Sequence, residues 1–192
     1  MSGKLFIISA PSGAGKTSLV ENILPKLKQT YQIDRLVTCT SRQKRPGERD
    51  GIDFNFMSDI DFELKIKQGF FIEWSKAYDH YYGSPASVVD DLKVGNSRVL
   101  VIDRLGAKQV LERLSDCVAI WIYPPSVGAL RERLLTRGAN TLDQVERRLE
   151  LAKFELEEES KRKLYKYHIL NDIFSDASEK LESIFVNELK KF

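Results

Sequence analysis

A parallel α/β sheet with helices on both faces is the fold class this sequence predicts, and three observations predict it. Short runs built almost wholly from apolar residues recur at Leu5–Ser9, Arg98–Asp103 (RVLVID) and Val118–Ile122 (VAIWI), the composition of strands buried on both sides. Stretches with helical periodicity alternate with them, which argues for strands laid side by side and connected by crossover helices. A glycine-rich turn joins the first strand to the first helix, the place where such folds hold anions.

Each element has its own warrant. Leu5–Ser9 is the first strand, and Lys16–Leu24 follows as a helix with Leu19, Ile23 and Leu24 on one face. Pro25 is expected to end or bend that helix. Residues 35–84 have another texture. Short β-like runs at Arg35–Thr40, Asp53–Phe56 and Phe70–Trp74 are parted by Pro46-Gly47 and Asp50-Gly51, with a short helix at Asp59–Lys67. Pro85–Lys93 reads as helix, Arg98–Asp103 as the second buried strand and Gly106–Leu114 as helix. Val118–Ile122 is the third buried strand, closed by Pro124-Pro125. Residues 126–163 form two charged helices broken at Arg137-Gly138, and the run ELEEESKRK (155–163) reads as a solvated face with i,i+4 ion pairs. His168–Leu170 is a last short strand. Asp176 followed by Glu179 resembles a capping box for a terminal helix whose Leu181, Ile184, Phe185 and Leu189 share a face. The 192 residues are expected to form one domain. Its core would be 1–34, 85–125 and 156–192, with a mixed-β lobe at 35–84 and a helical excursion at 126–155.

Composition narrows the function. The net charge of +2 is the balance of 30 basic and 28 acidic residues, so any anion must be recognised by placed side chains rather than by overall field, and no nucleic-acid partner is expected. Cys39 and Cys117 have no metal-ligand spacing, and His80 and His168 are too few for a zinc site. No apolar run approaches the roughly 20 residues a bilayer span needs, and no signal peptide opens the chain, so a cytoplasmic protein without a membrane partner is expected.

Residues 9–18 read SAPSGAGKTS, and Ala10 to Thr17 fit the P-loop spacing with alanine in place of the first glycine. Gly13 and Gly15 let successive N–H groups turn inward, Lys16 neutralises phosphate oxygens, and the Thr17 hydroxyl can ligate Mg²⁺. The segment Ser12, Gly13, Ala14, Gly15, Lys16, Thr17 and Ser18 is thus a candidate nucleoside triphosphate cradle. Asp103, at the end of RVLVID, is the candidate second partner for Mg²⁺. Thr38–Gly51 (TCTSRQKRPGERDG) places Arg42 and Arg45 in a turn, two guanidinium forks suited to a phosphate monoester.

With SAPSGAGKTS, TSRQKRPGERDG, FIEWSKAYDHYYGS, VIDRLG, YPPS, LRERLLTRG with the later RRL, and ND at 171–172, the chain resembles the guanylate kinase family from end to end. The resemblance implies a nucleoside monophosphate kinase that transfers phosphate from MgATP to GMP, with 35–84 as the GMP-binding lobe and 126–155 as the lid. It implies that Arg42, Arg45 and Tyr82 meet the GMP phosphate, and that Thr38, Glu73 and Ser84 surround the guanine. Phe54 and Asp103 fall at further substrate positions. Arg133, Arg137 and Arg148 match arginines that close on ATP, and Asn171 a position near the adenine. A carboxylate such as Glu73 suits guanine because N1–H and the 2-amino group are adjacent donors, whereas adenine presents an acceptor at N1.

Three departures from the family pattern stand out. Phe54 stands where a tyrosine hydroxyl usually reaches the GMP phosphate, Val101 replaces one of two strand aspartates, and Asp79-His80 replaces Gly-Asn before Tyr81-Tyr82. They leave two alternatives open: a kinase of this fold with another phosphorylated acceptor, and a non-catalytic guanylate-kinase-like module that binds protein in the GMP cleft. The intact Lys16, Thr17 and arginine set disfavours the module. A P-loop GTPase is weaker, for want of a guanine-reading N/T-K-x-D motif.

Overall fold

A computed structural model describes residues 3–77, 79–136 and 141–191. In chain order its elements are β1 (Leu5–Ser9), α1 (Lys16–Leu27), β2 (Ile33–Arg35), β3 (Cys39–Thr40), β4 (Asn55–Phe56), α2 (Asp59–Lys67), β5 (Phe71–Ala77) and β6 (His80–Pro85). There follow α3 (Val88–Lys93), β7 (Ser97–Ile102), α4 (Arg104–Arg113), β8 (Cys117–Tyr123), α5 (Val127–Thr136), α6 (Leu142–Lys161), β9 (Tyr167–Leu170) and α7 (Phe174–Leu189). A five-stranded parallel sheet has the order β2-β7-β1-β8-β9, and a four-stranded mixed sheet the order β4-β3-β6-β5. Every residue of β1 is buried, as are Val118–Ile122 of β8, which is why these strands are apolar without alternation.

The chain divides into two compact units. One takes in the chain up to Phe6, Gln32–Leu100 and Leu105–Cys117; the other takes in Ile7–Tyr31, Val101–Arg104 and the chain from Val118 onward.

In the first unit the mixed sheet has two unlike faces. Cys39, Phe62 and Phe71 form an apolar cluster with Met57, Ile66 and Tyr81, and the Phe62 ring stacks 4.4 Å from Phe71 and 5.1 Å from Tyr81. This seats α2, whose first turn is capped by Ser58 accepting from the Asp61 N–H at 3.1 Å. Side chains alternate across a strand, so the residues between those of the cluster point to the opposite face. The β5–β6 register shifts between Phe71 and Glu73, so Phe71 joins the cluster while Glu73 faces the other way, opposite Ser84.

In the second unit α1 packs on α7. The Asn22 amide donates to Ser178 at 2.6 Å, Lys26 pairs with Glu182 at 3.1 Å, and Leu19, Ile23, Leu181 and Phe185 are fully buried. α5 lies against α6, with Leu130, Leu134, Val145 and Leu149 buried and an Arg131–Glu146 pair at 3.1 Å.

Four expectations are corrected. Pro25 does not end α1, which continues to Leu27. The proline lies on the solvent side, where water can take the Glu21 carbonyl, while Leu24 and Leu27 stay buried and hold the turn. The run 35–40 is not one strand: Ile33–Arg35 pairs with β7, and Cys39–Thr40 enters the other sheet. Asp176 is no N-cap, since α7 starts at Phe174 with Ile173 at the cap position; Asp176 accepts from Ser175 at 3.0 Å instead. The capping box belongs to α6, where Gln144 N–H donates to Thr141 at 3.3 Å and Thr141 N–H to the Gln144 side chain at 3.1 Å. Finally, 155–163 is not a uniformly solvated face. Lys161 pairs with Glu157 at 2.6 Å as expected, but Glu159 is 3% exposed. It accepts from the Leu164 N–H at 3.0 Å and lies 2.9 Å from His168 Nε2 and 3.3 Å from Arg104.

Candidate active site

The second unit carries the phosphate cradle. Gly13 and Gly15 both sit at φ +91°, a region closed to most side chains, and a Cβ on Gly15 would run into the Asn171 amide. The Ala14 N–H donates to the Pro11 carbonyl at 3.1 Å, which closes the loop, and α1 begins directly after Gly15. Among the described residues no side chain caps that helix and no acid lies in its first turn, so its amide end is left to an anionic ligand. Ser12, Gly13, Gly15, Lys16 and Thr17 are half-exposed and Ser18 is exposed, whereas the Ala14 side chain is buried beneath them.

Asn171, only 4% exposed at the end of β9, braces this loop. Its Nδ2 donates to the Ala14 carbonyl at 2.7 Å, its main-chain N–H donates to Tyr123 at 2.8 Å, and its carbonyl accepts from Arg133 at 2.9 Å. A 540 Å³ cavity beside the cradle is lined by Gly15, Ser18, Arg133, Thr136, Asn171 and Phe174, among others. Arg148 is half-buried on α6, and Arg137 lies outside the described residues.

Asp103 follows β7, and its carbonyl accepts from the Ser9 hydroxyl at 3.3 Å. Burial pushes the nearby Glu155 carboxyl up to about 7, with Lys16 opposing that rise and Asp103 adding to it. Whether these groups suit Mg²⁺ follows from donor chemistry. Among the described residues no three acidic, histidine or cysteine side chains cluster as a metal cage. Mg²⁺ does not require one, since it keeps several waters and takes one or two protein oxygens plus phosphates, and a threonine hydroxyl with an aspartate matches that set.

The first unit carries the monophosphate candidates on the sheet face away from α2. Register pairs Glu73 with Ser84, and Tyr82 with both Ser75 and Thr40; Thr38, two residues before Thr40, belongs to the same side. Glu73 is 2% exposed and accepts a hydrogen bond from the Ser84 hydroxyl. Thr38, Thr40, Ser75 and Ser84 are buried, so this is a sheltered polar surface in which a carboxylate keeps its hydrogen-bonding geometry.

Arg42 lies at the same end. Its Nη1 and Nη2 donate to the two carboxylate oxygens of Glu48 at 3.0 and 2.7 Å, and its Cζ is 5.5 Å from the Phe54 ring and 5.7 Å from Phe56. The Arg45 main-chain N–H also donates to Glu48, at 2.8 Å, while the Arg45 side chain is exposed. Burial opposes ionisation of Glu48, but the hydrogen bonds from Arg42 and Arg45 outweigh it and hold the carboxyl below its usual range. Tyr82 meets the Phe54 ring edge-on at 6.3 Å.

The departures now have structural content. Phe54 keeps the aromatic contact with Arg42 while lacking a hydroxyl. Val101 is half-buried within β7. Asp79 takes φ +66°, alone among the described non-glycine residues, and so keeps the tight turn that glycine would otherwise make, with Ala77 opposite His80.

Sequence reasoning missed Glu48, Glu155 and Phe174. Glu48 was signalled by an acid inside an arginine-rich turn, and Phe174 by an aromatic two residues after Asn171-Asp172. Glu155 had no local signal.

Comparison with known proteins agrees with this geometry. The guanylate kinase family model matches residues 2–188. A guanylate kinase of Haemophilus ducreyi is 38% identical over all of this chain and 91% of its own length. One from Thermotoga maritima is 39% identical over all of this chain and 90% of its own. The crystal structure of guanylate kinase from Anaplasma phagocytophilum superposes with a TM-score of 0.76 at 28% identity, covering 97% of this chain and 86% of that one. With a P-loop in one unit, a buried carboxylate on a polar sheet face in the other, and relatives that match along its whole length, the chain belongs to the guanylate kinase family.

Proposed function

We infer that this member of the guanylate kinase family transfers the γ-phosphoryl group of ATP to GMP, giving ADP and GDP. The observation that carries the acceptor is Glu73, a carboxylate held at 2% exposure beside Ser84. Its two oxygens can accept N1–H and the 2-amino group of guanine together, while adenine would set an acceptor against it. Thr38 and Ser84 complete the base site, and Arg42, Arg45 and Tyr82 receive the phosphate.

On the donor side the loop amides, Lys16 and the α1 N-terminus hold the triphosphate, with Arg133, Arg137 and Arg148 gathering charge as residues 126–155 close over ATP. Asn171 holds the loop in shape and borders the adenine. Thr17 and Asp103 would hold Mg²⁺ beside the triphosphate, where it would supply further charge neutralisation. No general base is required, because the second pKa of a phosphate monoester is ~6 and the attacking oxygen is already largely ionised. The protein's contribution is alignment of two polyanions and exclusion of water, which would otherwise accept the phosphoryl group. The chemistry suits a cytoplasmic enzyme of purine nucleotide metabolism.

ADP formation from MgATP with GMP, AMP, CMP, UMP or no acceptor tests the reading, and GMP should stand well above the rest. In Glu73→Gln an amide N–H₂ would face guanine donors, and kcat/KM for GMP should fall about 10²–10³-fold. A parental value would remove Glu73 from recognition. Phe54→Tyr restores a hydroxyl to the phosphate, and since a hydrogen bond to a charged group contributes roughly 1.5–3 kcal/mol, the KM for GMP should drop by about ten- to a hundredfold. An unchanged KM would show that the ring contact with Arg42 is all this position provides.

A further inference from the structure

β5 is the outer strand of the mixed sheet, so the main-chain groups that point away from β6 have no ladder partner. Two side chains of α4 take them up. Gln109 presents its amide to Trp74 as a neighbouring strand would: its Oε1 accepts from the Trp74 N–H at 3.2 Å and its Nε2 donates to the Trp74 carbonyl at 2.8 Å. Arg113 donates through Nη1 to the Ile72 carbonyl and, at 3.4 Å, to the Phe71 carbonyl. The residue between these anchored points is Glu73, at the place where the β5–β6 register shifts. A bulge is a locally weakened ladder, and a carboxylate that must meet two donors at once tolerates little drift.

We propose that Gln109 and Arg113 are positioning residues for acceptor recognition, bracing the β5 main chain on both sides of Glu73 so that its carboxylate meets guanine squarely. This rests on the reading of Glu73 as the guanine acceptor. Neither side chain is a catalytic residue; both act through the strand.

The test compares Gln109→Ala, Gln109→Glu and Glu73→Gln with the parent protein, using GMP and inosine monophosphate, which keeps N1–H and lacks the 2-amino group. Gln109→Ala should raise the KM for GMP about tenfold with kcat within about twofold and the KM for ATP unchanged. Preference for GMP over inosine monophosphate should shrink, because the second hydrogen bond fails first. Gln109→Glu keeps the volume but cannot donate to the Trp74 carbonyl; it should show the same split, and it replaces Gln109→Ala if that variant does not fold. Equal losses with both acceptors, or a parental KM for GMP, would overturn the bracing while Glu73→Gln still loses the preference. A Glu73→Gln variant that keeps the preference would instead remove the reading beneath the proposal, and the proposal with it.

Discussion

Replacement of Lys16 by alanine should leave a folded protein whose kcat is lower by about 10³-fold, the scale of removing a preorganised charge from a transferring phosphoryl group. The side chain sits at the first residue of α1, behind a glycine at φ +91°, where the loop amides and helix end converge. It carries the mobile positive charge of that constellation, and the amides cannot follow the γ-phosphate as it moves. The fold should tolerate the loss. Lys16 favours ionisation of the half-buried Glu155, so without it the Glu155 carboxyl titrates higher still and shifts toward its neutral form. Thermal unfolding and ADP formation measured together check this. A drop in kcat smaller than about tenfold would mean that the loop binds nucleotide without promoting transfer.

The largest effect on stability is expected at Glu159. Its side chain is 3% exposed and gathers Arg104, His168 and the Leu164 and Tyr165 main-chain N–H groups. Removing one partner of a buried charged pair costs about 3–5 kcal/mol, because the groups left behind remain desolvated. Glu159→Ala should therefore lower the unfolding midpoint by roughly 6–20 °C in a chain of this size. Glu159→Gln, which retains one acceptor oxygen, should lie between it and the parent. Chemical denaturation showing a loss below about 1 kcal/mol would mean the cluster adapts without this carboxylate.

How much of this was legible in the chain depended on whether a feature is local. SAPSGAGKTS could be read directly because strand, loop and helix follow one another and the geometry is carried by ten adjacent residues. The helix at Asp59–Lys67 was equally plain, and the structure adds Ser58 as its cap. The face bearing Thr38, Glu73 and Ser84 could not be derived from spacing, since it exists only once β3, β6 and β5 adopt their register; family resemblance supplied those names. Gln109 illustrates the same limit. Nothing about a glutamine in a helix says that its amide will stand in for a strand. The acidic run at 155–163 misled for the opposite reason: its composition is that of a solvated helix, but the turn after α6 folds back on Glu159 and buries it.

The Glu48 fork on Arg42 has a consequence for how ligands arrive. Arg42, the proposed phosphate clamp, already carries a tethered counter-ion six residues away, held by two charge-assisted hydrogen bonds. An incoming anion must displace, or share with, a carboxylate whose effective concentration is far above that of any dissolved competitor. Chloride or acetate gains nothing from the exchange, whereas a dianionic phosphate monoester brings more charge than it removes. Selection among anions thus begins by valence, before any base is read.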